Sequence, residues 1–314
     1  MHFTQESMQE IISTLQKKLE NEDNISFEAL NPDLASGYAG AEIIIDDKLY
    51  LYRGYKSWVD LAQILKCKML TPKESNYPFI RFSFVKLNSN DSFHSNKKPK
   101  DRDEKYGKES HFWQINKMQE PSFLYYYTQA LNNVKISQRT DILDLGVNRG
   151  DEFEVIANSM SSDEFDKLNL VGIDHSKTAI EYAQEKFKNN SNIEFFAHDI
   201  NELETLNLNR FDLLISIGTL QSPSINFKPF LMSLVQNYLK KDNSALILGF
   251  PNSRWIDGEM VYGAKASNYA MSEMSLLYSD VIFCKKYLQQ HKYRVTITGK
   301  EYIFLTATRI IITN

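Results

Sequence analysis

Only two cysteines, Cys67 and Cys284, occur in the 314 residues, and they stand far apart in the chain. Neither a disulfide framework nor a cysteine-rich metal site can be built from them, and a reducing cytosol is the simplest compartment. No run of about 18 apolar residues occurs, so no membrane-spanning helix is expected. The opening MHFTQESMQEIIS carries acids where a signal peptide needs a basic start and an apolar stretch, which predicts a soluble, cytoplasmic protein. Excess charge is equally scarce. Thirty-six Lys and Arg against 40 Asp and Glu leave a net charge of −4, too small for the overall field to attract nucleic acid. No internal repeat or low-complexity tract is visible, which sets aside repeat architectures.

What is present is the balance of a folding chain: 42 % apolar, 12 % aromatic and 24 % charged residues, in a length suited to about two domains. Phe3, Met8, Ile11, Ile12, Leu15 and Leu19 fall near one helical face and predict an amphipathic helix. AEIII and KLYLYRGY flank Asp46-Asp47, an acidic pair suited to a hairpin turn, and SWVDLAQILK reads as a short helix. FIRFSFVKL alternates in the manner of a strand. Residues 1–90 therefore form a small α+β domain in this reading. Residues 91–108 are polar and charged, the composition of a linker, and their KKPKDRDEKYGK stretch mixes cations with acids as a solvated segment does. A second domain spans 109–314.

In that second part the pattern alternates helix and strand. DILDLG, NLVGID, IEFFAHD, FDLLISIG and SALILGF are continuous apolar runs of strand length, as expected of parallel strands covered on both faces. The intervening stretches space apolar residues by three or four, as at Ile180, Ala183 and Phe187, or Phe230, Leu234 and Tyr238. The fold class is thus α/β, a doubly wound and mostly parallel sheet. YRVTITG and EYIFLTATRI are separated only at Gly299-Lys300, close enough for a hairpin, so one of the last two strands runs antiparallel.

In an open parallel sheet, ligands bind beyond the carboxyl ends of the strands. The first strand ends in Asp144-Leu-Gly146-Val-Asn148-Arg-Gly150, where the glycines permit a sharp turn and close approach to a ligand, and Asp144 can accept a hydrogen bond from a cationic amine. The second closes with Asp174, placed to bridge the hydroxyls of a ribose, and the third with Asp199-Ile200. A nicotinamide dehydrogenase would need G-x-G-x-x-G, and the loop has Gly-x-x-x-Gly.

This run of residues resembles the class I S-adenosylmethionine-dependent methyltransferases over about 109–314. The resemblance implies a Rossmann-like seven-stranded sheet, into which the terminal hairpin fits, and S-adenosyl-L-methionine as cofactor. DLGVNRG matches the family's glycine loop at Asp144, Gly146 and Gly150, with Asn148 in place of the middle glycine. By the same resemblance Asp174 holds the ribose, Asp199 and Ile200 face the adenine, and Ser216 to Gly218 lie beneath the reacting centre. His175 caps the next helix or touches the cofactor edge.

Methyl transfer from a sulfonium needs alignment and exclusion of water rather than a metal. If the nucleophile carries a proton a base is needed, and His175, His198 and Glu152 are the titratable candidates near the rim; a structural role competes for His198. The loop after the fourth strand, Gly218-Thr-Leu-Gln-Ser-Pro223, lacks the Asp/Asn-Pro-Pro-aromatic pattern that members of the resembled family use to hold an exocyclic amine, so the resemblance implies that exocyclic amine methylation is not expected. PNSRWIDGEMVYGAKASNYAMS after the fifth strand is a candidate substrate lid, with Arg254, Trp255, Asp257, Tyr262 and Lys265 suited to an anionic or planar substrate. Trp113, Phe123 and Tyr125 to Tyr127 read mainly as core aromatics. The expected function is methylation of an oxygen, nitrogen or carbon nucleophile of a small molecule, with the N-terminal domain shaping the entrance or a dimer contact. The alternatives are methylation of a tRNA base, with the N-terminal domain binding RNA, and a non-catalytic cofactor-binding interaction protein. Asp174→Ala is expected to abolish cofactor binding and leave the fold intact.

Overall fold

A computed structural model describes residues 1–88, 106–264 and 273–310. Most of the expected linker, Lys265, and the end of the expected lid lie outside the described residues. The described chain forms two compact units, one of 1–88 with Trp255–Val261 and one of 106–254 with 262–310.

The first unit begins with strand β1 (His2–Phe3) and helix α1 (Met8–Leu19). Phe3 belongs to the strand and not to the helix, because Ser7 starts the helix: its hydroxyl accepts Glu10 N–H while Glu10 accepts the Ser7 N–H, a reciprocal cap. Ile11, Leu15 and Leu19 form the buried stripe of α1. Strands β2 (Asn24–Leu30), β3 (Glu42–Ile45) and β4 (Lys48–Leu51) follow, then helix α2 (Tyr55–Ile64) and strands β5 (Cys67–Met69), β6 (Lys73–Glu74) and β7 (Phe79–Lys86). The β3–β4 hairpin turns at Asp46 and Asp47, both at positive φ, as the acidic pair predicts. The main sheet has the order β1-β2-β7-β5, with β6 also on β7, and Phe27, Phe82, Phe84 and Trp58 pack between it and the helices.

In the second unit helix α3 (Pro121–Asn133) leads into β8 (Asp141–Leu145). Then come α4 (Asp151–Asn158), α5 (Ser162–Phe165), β9 (Asn169–Asp174), α6 (Lys177–Lys186), β10 (Ile193–Ala197), β11 (Leu213–Ile217), α7 (Phe227–Ser233) and β12 (Ala245–Pro251). A short hairpin of β13 (Ser253–Ile256) and β14 (Glu259–Tyr262), of which Trp255–Val261 groups with the first unit, precedes in sequence α8 (Ser275–Gln290) and the final pair β15 (Tyr293–Gly299) and β16 (Tyr302–Arg309).

The seven strands have the order β10-β9-β8-β11-β12-β16-β15. β16 runs antiparallel to both β12 and β15, and the other pairings are parallel. Alternate residues of each central strand enter different cores: Leu143, Leu145, Leu214 and Leu246 one, Ile142, Leu213, Ile215 and Ile247 the other. Both faces are therefore apolar, which is why these strands read as unbroken hydrophobic runs. The third run departs from that expectation. β10 is an edge strand, and its residues are half-buried or exposed because a neighbour covers it on one side only. Chain order reverses at β8, flanked by β9 and β11, so the ligand crevice of this sheet lies at the end of β8.

Candidate active site

The loop leaving β8 is held in three left-handed steps, Gly146 (φ 85), Asn148 (φ 45) and Gly150 (φ 77). Its amides tie it to the next strand: Gly146 and Val147 both donate to the Ile173 carbonyl, at 2.8 and 3.2 Å, and Asn148 N–H donates to Asp174 Oδ2 at 3.0 Å. Gly146 is required by space as well as by φ, since a Cβ there would stand 1.8 Å from Thr219 Oγ1. Gly150 would meet Phe187 at 2.8 Å.

Asn148, the residue in place of the middle glycine, has a use for its side chain. It tolerates the left-handed geometry, and its Nδ2 donates to the Tyr106 carbonyl at 3.0 Å. The adjacent Arg149 donates to the carbonyls of Trp113 (3.0 Å) and Ile115 (3.3 Å) and lies 5.6 Å from the Trp113 ring. Tyr106 stacks edge-on to His175, and Trp113 edge-on to Tyr182. The chain from Tyr106 to Gln119, built on two short 3-10 turns, is thereby fastened across the glycine loop as a roof.

Asp144, Glu152 and Asp174 are brought together and buried, at 1 %, 7 % and 5 % exposure. Burial pushes the Asp144 carboxyl well up, with the Glu152 charge adding to it. Burial likewise raises Glu152 to about 7, against which the Lys117 ammonium acts. Asp174 is raised by burial and held back by the amides of Ser176 and Asn148 and by His175. One oxygen of Asp144, Oδ2, is buried without a hydrogen-bond partner among the described residues. A cationic amine is the group that would satisfy it.

The remaining residues separate. Asp199 is exposed and caps the next turn through Asn201 N–H at 2.8 Å, and Ile200 beside it is buried. Ser216 is buried and donates to the Leu145 carbonyl at 3.1 Å, which bridges β11 to β8; Gly218 follows at φ 76. His175 Nδ1 stands 3.4 Å from Asp174 Oδ1. His198 turns away from the acids: Nε2 is 3.0 Å from both the Glu202 carbonyl and the Thr205 hydroxyl. Phe123 and Tyr127 are core residues, whereas Tyr125 is exposed.

The expected lid does not stay together. Trp255 and Asp257 group with the first unit, where Asp257 accepts Asn88 N–H at 3.1 Å and Ile256 and Val261 pack on Leu87. Arg254 and Tyr262 remain with the second unit. Sequence reading missed Lys117, Tyr302, Thr219, Gln221, Asn252 and Ser253. Among the described residues, Gln221 Oε1 and Asn252 Oδ1, on the loops that leave the adjacent strands β11 and β12, and Ser253 Oγ and Arg254 Nε, at the start of β13, are buried without partners. Among the described residues no cluster of three or more His, Cys, Asp or Glu could hold a metal, and no helix is long and apolar enough to cross a membrane.

A family model described as a methyltransferase domain matches residues 136–296, just over half of the chain. The chain belongs to the methyltransferase domain family. No curated protein matches it. Among solved structures, a SAM-dependent methyltransferase from Aquifex aeolicus is similar at 18 % identity over 63 % of this chain and 98 % of that one, with a TM-score of 0.45. The N-methyltransferase NodS from Bradyrhizobium japonicum WM9, in complex with S-adenosyl-L-homocysteine, is similar at 18 % identity over 65 % of this chain and 93 % of that one, TM-score 0.43. Coclaurine N-methyltransferase is similar at 17 % identity over 42 % of this chain and only 37 % of that one, TM-score 0.35.

Proposed function

We propose that this methyltransferase passes the methyl group of S-adenosylmethionine to an oxygen, nitrogen or carbon nucleophile of a small polar molecule. The observation that carries the reading is the rim at the switch point: a left-handed glycine loop beside three buried carboxylates, one with an oxygen lacking a partner among the described residues. In this reading Asp144 and Glu152 take the amino group of the cofactor. Asp174 takes the ribose hydroxyls. Its oxygens already accept the backbone N–H groups of Ser176 (Oδ1) and Asn148 (Oδ2), with His175 Nδ1 also 3.4 Å from Oδ1, and Oδ2 keeps a second lone pair for a hydroxyl. Asp199 and Ile200 flank the adenine, and His175 the edge beside the ribose.

The bound sulfonium supplies an already activated methyl group. The chain supplies position and dryness. The segment from Tyr106 to Gln119, fastened to Asn148 and Arg149, narrows the approach to the loop in this reading, and a small acceptor fits it better than a base within a polymer. The unpartnered atoms of Gln221, Asn252, Ser253 and Arg254 support an acceptor held by hydrogen bonds, because buried polar groups without partners cost about 1–3 kcal/mol each until a ligand completes them.

The test is calorimetry with S-adenosylmethionine, followed by transfer of radiolabelled methyl to separated metabolite and RNA fractions. Label in the metabolite fraction is expected. Label confined to tRNA would replace the small-molecule reading, and absence of cofactor binding would overturn the site.

A further inference from the structure

Two side chains of the glycine loop reach away from it to a single segment of chain. Asn148 stands where the resembled family has its middle glycine, so its Nδ2 makes a bond that no glycine could, to the Tyr106 carbonyl at 3.0 Å. Arg149 is oriented from behind. Its Nε lies 2.6 Å from Asp151 Oδ2, and Asp151 is held in turn by Lys186 Nζ at 3.0 Å. The rest of the guanidinium fork donates to the Trp113 and Ile115 carbonyls.

The segment they reach, Tyr106 to Gln119, is weakly embedded. Gly107 is its one buried residue, and every large side chain in it keeps some exposure. Its N–H groups bond within it: Ser110 to Gly107, Trp113 to Ser110, Ile115 to Phe112 and Gln119 to Asn116. The two ends differ. Met118, next to α3, packs on the core that holds Phe123 and Tyr127. From Ile115 back to Tyr106 the ties among the described residues are directed contacts: those of Asn148 and Arg149, Lys108 N–H to Thr178 Oγ1 at 3.0 Å, and the edge-on pairs of Tyr106 with His175 and Trp113 with Tyr182. Segments with few buried apolar contacts open locally at small free-energy cost. This one is fastened across the loop at the end of β8, where the strand order places the ligand crevice.

We propose that Asn148 and Arg149 latch this segment and that it must come off for the cofactor to enter and leave, so the two side chains set the rate of cofactor exchange. The inference rests on the cofactor assignment above. Both are positioning residues, acting on the segment and not on the reacting atoms. The latch bonds join two parts of the chain and do not touch the ligand, so breaking them speeds entry and exit together and leaves the affinity nearly unchanged. A residue that holds the ligand itself alters chiefly its departure.

The experiment passes S-adenosylhomocysteine over the immobilised full chain and reads association and dissociation rates by surface plasmon resonance. Asn148→Gly keeps the loop amide that Asp174 accepts and suits the left-handed φ of 45°. It should raise both rates by roughly 3- to 10-fold, the worth of a neutral hydrogen bond. Arg149→Met should raise both by about 10- to 100-fold, the worth of hydrogen bonds from a charged donor. The dissociation constant should change far less than either rate. Faster dissociation alone, or rates that stay the same or fall, overturns the latch and leaves the cofactor site standing. Thermal denaturation of each variant checks the fold; if Arg149→Met unfolds, Asn148→Gly decides alone. Failure of the wild type to bind overturns the cofactor site and the latch with it.

Discussion

Asp174 Oδ2 accepts the backbone N–H of Asn148 at 3.0 Å, so the carboxylate that closes β9 also holds the loop that opens from β8. Ligand site and loop support are one side chain.

That coupling changes what removal of Asp174 does. With Ala the amides of Asn148 and Ser176 lose their acceptor inside a buried region, a cost of about 1–3 kcal/mol. Asp174→Ala is therefore expected to lose both cofactor binding and stability, where sequence reading anticipated an intact fold. Asp174→Asn keeps an acceptor oxygen and should recover much of the stability and little of the binding. Urea denaturation beside calorimetry separates the two effects.

Gly146→Ala should destabilise by about 1–3 kcal/mol, because a φ of 85° disfavours any side chain and the new methyl would overlap Thr219. Adding Thr219→Ala removes Oγ1 and Cγ2 from the clash and should return part of that loss. If the double variant is no more stable than the single one, the overlap is not the cause.

Glu152 gives a pH signature. Its folded carboxyl titrates at about 7 against a reference value of 4.5, so between those values the folded state binds the extra proton. Stability from this group is fully present below about 4.5 and falls as pH rises toward 7. Affinity for a cationic amine runs the other way, because only the ionised carboxylate attracts it. Glu152→Gln should flatten the fall in stability over this range and flatten the rise in cofactor affinity. A wild type that gains stability across the same range, relative to Glu152→Gln, would contradict the assignment.

His198→Ala should leave the methyl-transfer rate near that of the wild type and cost about 1 kcal/mol of stability, since the ring serves the Glu202 carbonyl and Thr205 hydroxyl. A rate loss of several orders of magnitude would restore it as a base.

The alternation of helix and strand, the hairpin of the last two strands and the glycine loop were legible because each is a local pattern whose period or turn chemistry survives in the linear chain. Asn148 was legible only as a departure from a motif. Its purpose, a hydrogen bond to Tyr106 from 42 residues away, depends on where another segment comes to lie.

The sequence alone determined the sheet, through apolar runs that in the central strands admit no exposed face, and the placing of Asp144 and Asp174 at successive strand ends, through a side-chain alternation that counting reveals. Tertiary structure decided the rest. It buried those acids together, set Lys117 among rings from the turn before α3, from α3 itself and from the last strand, and divided the 253–262 hairpin between two compact units. A lysine in a polar stretch looks like any solvated cation until folding brings distant aromatic faces around it, and no periodicity records that encounter.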